Sequence, residues 1–322
     1  MSFFDFSQKI ISAAEEAERL CRLRFEELDG LAEYNGQRVL KAFIDNRISD
    51  IHMKGTNGYG YGDDGRDKLD AVFAQVLGAE DALVRHNFVN GTHALTTALF
   101  GILRPHDTLL SVTGMPYDTM QEVILGENCG SLRDFGVNFG MIPLLPDGTP
   151  NYENITKRAP EAKLCYIQRS RGYSLRPSLN IAAISEIIKA IRAGNRDCII
   201  MVDNCYGELV EDKEPTAVGA DLIVGSLIKN LGGGIAETGG YIAGTSKAVE
   251  LCSYRLTTPG TGKEVGATLN QLRGMYLGLF HAPEAVCASL KTSVFAAAFF
   301  ELLGFEAFPK YDEKRTDIIA AL

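Results

Sequence analysis

The sequence predicts an α/β fold, a mostly parallel β-sheet covered by helices on both faces and preceded by a helical arm. Three observations carry that prediction. Short apolar runs near Ala82, Thr108, Met141, Lys163, Cys198, Asp221 and Gly240 recur between helical or loop stretches, the alternation expected of strands joined by crossovers. Several runs, such as Ile199-Ile200-Met201-Val202 and Leu222-Ile223-Val224, are apolar throughout, as strands buried on both faces are. With 322 residues, 46% hydrophobic and 23% charged, the chain can bury a large core.

Residues 1–55 read as the helical arm. Ile10, Ile11, Ala14, Ala17 and Cys21 recur at helical spacing with Glu15, Glu16 and Glu18 between them, and a second helix is expected over residues 35–45. Residues 55–66 crowd glycines between Tyr59 and Tyr61 and cannot hold a helix, so they form an ordered loop or a flexible linker. The large unit spans residues 56–300. Its first strand leads into Asn90-Gly91-Thr92-His93, and this helix start reads either as an ordinary capped terminus or as a phosphate site. Unpaired backbone N–H groups and the helix dipole favour an anion there.

The next strand, near Thr108, releases Thr113-Gly114-Met115-Pro116-Tyr117 from its carboxyl end. Tyr117 is either a plain turn residue or a flat cover for an aromatic ligand, with a hydroxyl free to move a proton. Gln168-Arg169-Ser170-Arg171-Gly172-Tyr173 follows a buried strand and presents two guanidiniums. Arg169 and Arg171 are solvated or ion-paired there, or one of them holds a carboxylate or phosphate. Residues 180–188 form an amphipathic packing helix. Beyond Gly240 come a Gly-rich loop at 257–266, which closes over a site, reaches a phosphate in the other subunit or simply connects, and helices over 269–280 and 283–302. Residues 301–322 read as the start of a further, incomplete unit.

Lys229 stands out chemically. It follows the apolar run ending at Val224 and lies in Gly225-Ser226-Leu227-Ile228-Lys229-Asn230, ahead of three glycines. A lysine there either snorkels to solvent or serves covalent or phosphate chemistry, such as a Schiff base to pyridoxal phosphate. Asp203 ends the preceding strand-like run. An acid at the carboxyl end of a parallel strand faces the crevice where open α/β sheets bind ligands, and one connection and one strand separate it from Lys229.

The spacing of Asp203 and Lys229 resembles that of the aspartate-aminotransferase-like, fold type I, pyridoxal-phosphate enzymes. With Tyr59-Gly60-Tyr61-Gly62-Asp63-Asp64-Gly65-Arg66, Asn90-Gly91-Thr92-His93-Ala94, the Arg169–Tyr173 segment and Ser226-Leu227-Ile228-Lys229, the chain resembles one bacterial subgroup. This is the family of cystathionine β-lyase or methionine γ-lyase related proteins often labelled aluminium-resistance proteins. The resemblance implies pyridoxal 5'-phosphate on Lys229, with Asp203 at the ring nitrogen and Tyr117 against the ring. It also implies Ser226, Gly91 and Thr92 at the phosphate, and a role for Arg171 toward cofactor or substrate. Tyr59 matches a tyrosine that reaches the neighbouring subunit's phosphate, although Tyr61 stands where the group has an arginine. A homodimer or homotetramer with sites at the subunit interface follows from the same resemblance. So does a carboxyl-terminal domain whose arginine holds the substrate's α-carboxylate; no residue before Leu322 matches it, so the chain is expected to be a piece of a longer protein or to be completed elsewhere.

The implied activity is elimination of a sulfur leaving group from the β- or γ-carbon of a small amino-acid substrate. An aminotransferase-like enzyme and a catalytically incomplete scaffold are the alternatives. A net charge of −9 without a basic run argues against nucleic acid. Seven scattered cysteines fit neither a disulfide framework nor a zinc site, and no metal is expected. No leader is evident and the apolar runs read as too short or interrupted for a membrane, so the expected location is the cytoplasm.

Overall fold

A computed structural model describes residues 4–172 and 174–322; Tyr173 of the arginine segment lies outside the described residues. All seven apolar runs are strands: β1 (Asp81–Arg85), β2 (Thr108–Ser111), β3 (Asn138–Met141), β4 (Leu164–Gln168), β5 (Ile199–Asp203), β6 (Leu222–Ser226) and β7 (Gly240–Gly244). They form one sheet in the order β1-β7-β6-β5-β4-β2-β3. The β2–β3, β2–β4, β4–β5 and β5–β6 pairs are parallel, whereas β7 runs antiparallel to β1 and β6. No α-helix lies between β6 and β7 to carry the chain back across the sheet, so the return strand is antiparallel.

Period-two side-chain alternation divides the core between the two faces. Val84, Ile167, Ile200 and Val202 pack under α2 (Asp64–Leu77), α6 (Ile181–Gly194) and α8 (Leu272–Leu302). Leu83, Tyr166, Met201 and Val224 pack under α3 (Gly91–Ile102), α4 (Asp118–Leu125) and α7 (Ser246–Leu256). Burial on both sides is why these strands read as unbroken apolar runs. α5 (Tyr152–Arg158) packs beside α6.

Two helical expectations change. The arm is one continuous helix, α1 (Gln8–Asp45), with Gly30 inside it. A glycine there costs about 1 kcal/mol relative to alanine, and packing of Ala17 and Cys21 on Val294 and Ala298 of α8 offsets it. Likewise α8 runs unbroken through Pro283, which is itself buried, where a break had been expected. The helix is anchored just before the proline: a Cβ on Gly278 would lie 2.5 Å from the Gly232 carbonyl oxygen. That contact also explains Gly232 and Gly233 after Lys229, whose backbone approaches α8 closely. By length and composition alone α8 is apolar enough to cross a bilayer, contrary to the sequence reading. Its buried residues are spent on α1 and the sheet.

Candidate active site

The carboxyl ends of β1, β4, β5 and β6 share one edge of the sheet, fixed by the registers Gln168↔Asp203, Asp203↔Val224 and the pairing of Gly240 with both Ser226 and Arg85. At that edge a cavity of about 330 Å³ is lined by Asn90, Gly91, Thr92, Tyr117, Asp203 and Lys229, among others. Five of the eight residues singled out from sequence therefore meet in one place. Ser226 lies directly behind: a Cβ added to Gly91 would sit 3.4 Å from the Ser226 Cβ and 4.0 Å from the Lys229 Nζ. Any side chain at position 91 would fill this space.

Each group is held by local structure. Asn90 caps α3, its Oδ1 accepting from the His93 N–H at 2.9 Å, and the Gly91 and Thr92 amides donate to no acceptor among the described residues. Tyr117 begins α4; its N–H donates to the Gln168 Oε1 at 3.1 Å and its hydroxyl lies 3.2 Å from that of Thr92. Burial and the nearby Asp203 push the Tyr117 pKa up, so the phenol is neutral at physiological pH. Asp203, 4% exposed, accepts from the Tyr166 hydroxyl at 3.2 Å and from the Cys205 N–H at 3.1 Å. Burial raises its pKa, and the Lys229 charge opposes that shift.

Lys229 Nζ stands 4.0 Å from the centroid of the Tyr206 ring. Burial disfavours its charge, but the acidic groups around it, Cys205, Tyr206, Asp203 and Glu208, outweigh that and hold its pKa above the ordinary value. Tyr166, Cys205 and Tyr206 were given no role from sequence. The available signals were adjacency, Tyr166 being on the strand beside β5 and the other two following Asp203. Tyr206 also has φ at +69°, a left-handed conformation at the cavity wall.

The remaining calls fall elsewhere. Tyr59 is 80% exposed and packs against Tyr61, centroids 6.0 Å apart, on a loop away from this cavity. That loop is stapled to the 257–266 segment by buried Arg66, which donates to the carbonyls of Gly60, Gly266 and Glu264. The 257–266 segment therefore does not cover the Lys229 cavity. Arg171 lines an adjoining cavity instead. Arg169 is fully buried, donating at 2.8 Å each to Asn204 Oδ1 and Glu211 Oε2, with Glu214 at 3.7 Å. It is a structural ion-pair centre and lines neither the Lys229 cavity nor the one that Arg171 lines.

Glu208 is fully buried beside this network, with one carboxyl oxygen accepting from the Tyr241 hydroxyl at 2.9 Å and the other unpartnered. Burial pushes its pKa from 4.5 to about 8. Between those values the unfolded chain has released a proton that the folded one keeps, so stability falls as pH rises through this window and levels off above it. The loss by pH 7 is on the order of 3 kcal/mol. Glu208→Gln is expected to remove that slope, measured by urea unfolding at about pH 5 and about pH 8. A slope unchanged in the variant would assign it to other groups.

The family model described as methionine gamma-lyase matches residues 10–322. The chain is 48% identical over 301 residues to the uncharacterized protein YnbB of Bacillus subtilis (strain 168), spanning 92% of this chain and 72% of that one. It superposes with a TM-score of 0.95 and 50% identity on a Clostridium novyi NT protein named carbon-sulfur lyase involved in aluminum resistance, covering 98% of this chain and 76% of that one. The fold alone is shared with the pyridoxal-5'-phosphate dependent protein YhfS of Escherichia coli, with a TM-score of 0.63 and 16% identity over 88% of this chain and 73% of that one. With a lysine and an acid on neighbouring strand ends of a fold type I sheet, and a family match over nearly its whole length, this chain belongs to the methionine gamma-lyase family.

Proposed function

We propose that the protein is a pyridoxal-phosphate-dependent carbon–sulfur lyase that eliminates a sulfur leaving group from the β- or γ-carbon of an amino acid. The convergence of Lys229, Asp203, Tyr117 and the amides of Gly91 and Thr92 on one cavity carries this reading. The donor set fits the cofactor. Free amides at a helix start suit a phosphate, the Ser226 hydroxyl, which donates to the Gly239 carbonyl at 3.4 Å, lies behind Gly91, and a buried carboxylate suits a cationic ring N–H. The absence of a Cβ at Gly91 leaves the room that such a group needs.

Bound there, pyridoxal phosphate supplies an electron sink for the pair left at the substrate's α-carbon. Lys229 would hold it, and the Lys229 amine would serve as the base for the substrate's α-proton. Asp203, fixed by the Tyr166 hydroxyl and the Cys205 N–H, would favour the protonated form of the cofactor ring. The neutral Tyr117 hydroxyl, oriented by Thr92, delivers a proton toward the departing sulfur. Exposed Tyr59 is available to a second copy of the chain, consistent with a homo-oligomer whose subunits complete each other's sites. Seven free cysteines suit a reducing compartment, which supports a cytoplasmic location.

Purified protein given pyridoxal phosphate is expected to absorb in the visible range and to release keto acid and ammonia from a panel of sulfur amino acids without any added keto acid. Keto-acid release that requires a keto-acid cosubstrate would make it an aminotransferase. A colourless protein that gains no absorbance would leave only the scaffold.

A further inference from the structure

Among the described residues, Ile319 is the only part of the Lys229 cavity wall contributed by the chain beyond Lys229, and with Ile228 it is one of two aliphatic side chains there. It is carried on an irregular strap, residues 308–322, that is tied down along its length. Phe308 and Ala321 exchange backbone hydrogen bonds of 2.9 and 2.8 Å. Arg315, 4% exposed, donates to the Pro309 carbonyl at 2.9 Å and to the Ser293 carbonyl of α8 at 3.3 Å. Asp317, 1% exposed, accepts from the Ser170 hydroxyl at 2.8 Å, from the Ile319 N–H at 3.0 Å and from the Ser178 hydroxyl. Breaking that set would leave a buried carboxylate unsatisfied, so the strap is held firmly. Ser170 itself lines the Lys229 cavity, which puts the clamp at the cavity's edge. Ile319 therefore sits between two fixed points, Asp317 and Ala321. A side chain held from both sides acts as a wall, whereas a mobile one yields to a ligand. Its neighbour Ile318 lines an adjoining groove with Ala285 and Val286 of α8.

The space that Ile319 bounds is small. At about 330 Å³ the cavity lies at the low end for small-molecule sites, and in the reading above the cofactor takes part of it. Gly91 and Thr92 are assigned to the phosphate, Asp203 and Tyr117 to the ring, and Lys229 to the covalent link. What remains is the substituent on the substrate's sulfur, an apolar group for which an aliphatic wall is the favourable neighbour. We propose that Ile319 is a specificity-determining residue that ends the space for this substituent and sets the longest one accepted, and that Asp317 is the positioning residue that holds it in place. This rests on the Lys229 cavity being where the sulfur amino acid reacts.

The test gives the protein S-methyl-, S-ethyl-, S-propyl- and S-butyl-L-cysteine, with and without added pyridoxal phosphate. The readouts are kcat/KM for keto-acid release and, where no keto acid forms, calorimetric affinity. In both, the quantity compared is the ratio of S-butyl to S-methyl, which does not depend on the folded fraction of a variant. The unaltered protein is expected to favour S-methyl by on the order of tenfold or more, the discrimination that methylenes produce against an apolar wall. Ile319→Ala should raise the ratio of S-butyl to S-methyl by a similar factor, and Ile319→Phe should move the fall-off to a shorter substituent. Asp317→Asn should shift the ratio in the same direction as Ile319→Ala, which a role in stability alone would not do, and Ile318→Ala should leave the ratio as it is. Should Ile319→Ala or Ile319→Phe fail to fold, Ile319→Val is expected to give a smaller rise. A ratio unchanged in the Ile319 variants overturns the proposal, as does an equal shift in Ile318→Ala. If the dependence on length appears in affinity but no keto acid is released, the lyase reading falls and the role of Ile319 stands. A protein that neither turns over nor binds any of the four compounds overturns both.

Discussion

Lys229→Ala is expected to lower kcat on the sulfur amino acid by on the order of 10⁴-fold or more, and to leave no protein-bound chromophore that borohydride can trap. The magnitude combines two losses. A positioned base contributes about 10²–10⁴-fold to proton abstraction, and the covalent anchor proposed for the cofactor disappears with it. The fold should persist, because the lysine is only part-buried and its Nζ stands 4.0 Å from the centroid of the Tyr206 ring without an ion pair among the described residues. Removing its charge leaves the neighbouring Asp203 and Glu208 without the cation that favours their ionised forms, so both should ionise at higher pH than before. The checks are single-turnover kinetics, the visible spectrum and the mass of the borohydride-treated protein. Turnover within tenfold of the original would remove Lys229 from the chemistry.

Arg169→Ala is expected to destabilise the protein by about 3–5 kcal/mol, the range for breaking a buried ion pair by removing one partner. The guanidinium is fully buried and serves Asn204, Glu211 and the Leu179 carbonyl. Its loss strands Glu211, which also accepts the Ile181 N–H at the start of α6, and Glu214, which holds the Leu209 N–H, Asn204 and Arg38 of the arm. One substitution therefore loosens the arm, α6 and the loop after Asp203 together. Urea unfolding measures it. A loss below about 1 kcal/mol, the level of an exposed pair, would contradict the assignment. A second effect follows if the loop carrying Cys205 and Tyr206 relaxes, namely weaker cofactor retention at temperatures where the protein is still folded.

The strands were legible because burial on both faces leaves a simple mark, a short run without polar interruption. Asp203 and Lys229 were legible for a related reason. A charged residue directly after such a run has no place in the core, so it marks a strand end that faces the ligand edge. Arg169 and Arg171 show where this reasoning stops. They are the same residue type two positions apart, and sequence left both open as cofactor or substrate ligands. One is neutralised by Glu211 and Glu214, more than forty residues downstream, and the other lines a cavity and forms no ion pair among the described residues. The partner decides the role, and partners distant in the chain leave no local pattern.

The same division runs through the helices and the site. Local sequence already settles where the chain is extended, where it is helical, and which chemical groups sit at the strand ends, because backbone propensity and apolar periodicity act over a few residues. Whether α8 continues through Pro283, whether β7 runs antiparallel, and whether Tyr59 faces the Lys229 cavity depend on packing between segments up to hundreds of residues apart. The energies that decide them, a glycine–carbonyl approach, a missing crossover helix, an arginine staple between two loops, exist only once the chain is folded. The candidate lysine could be read from one strand end, but the cavity beside it is assembled by six separate parts of the chain.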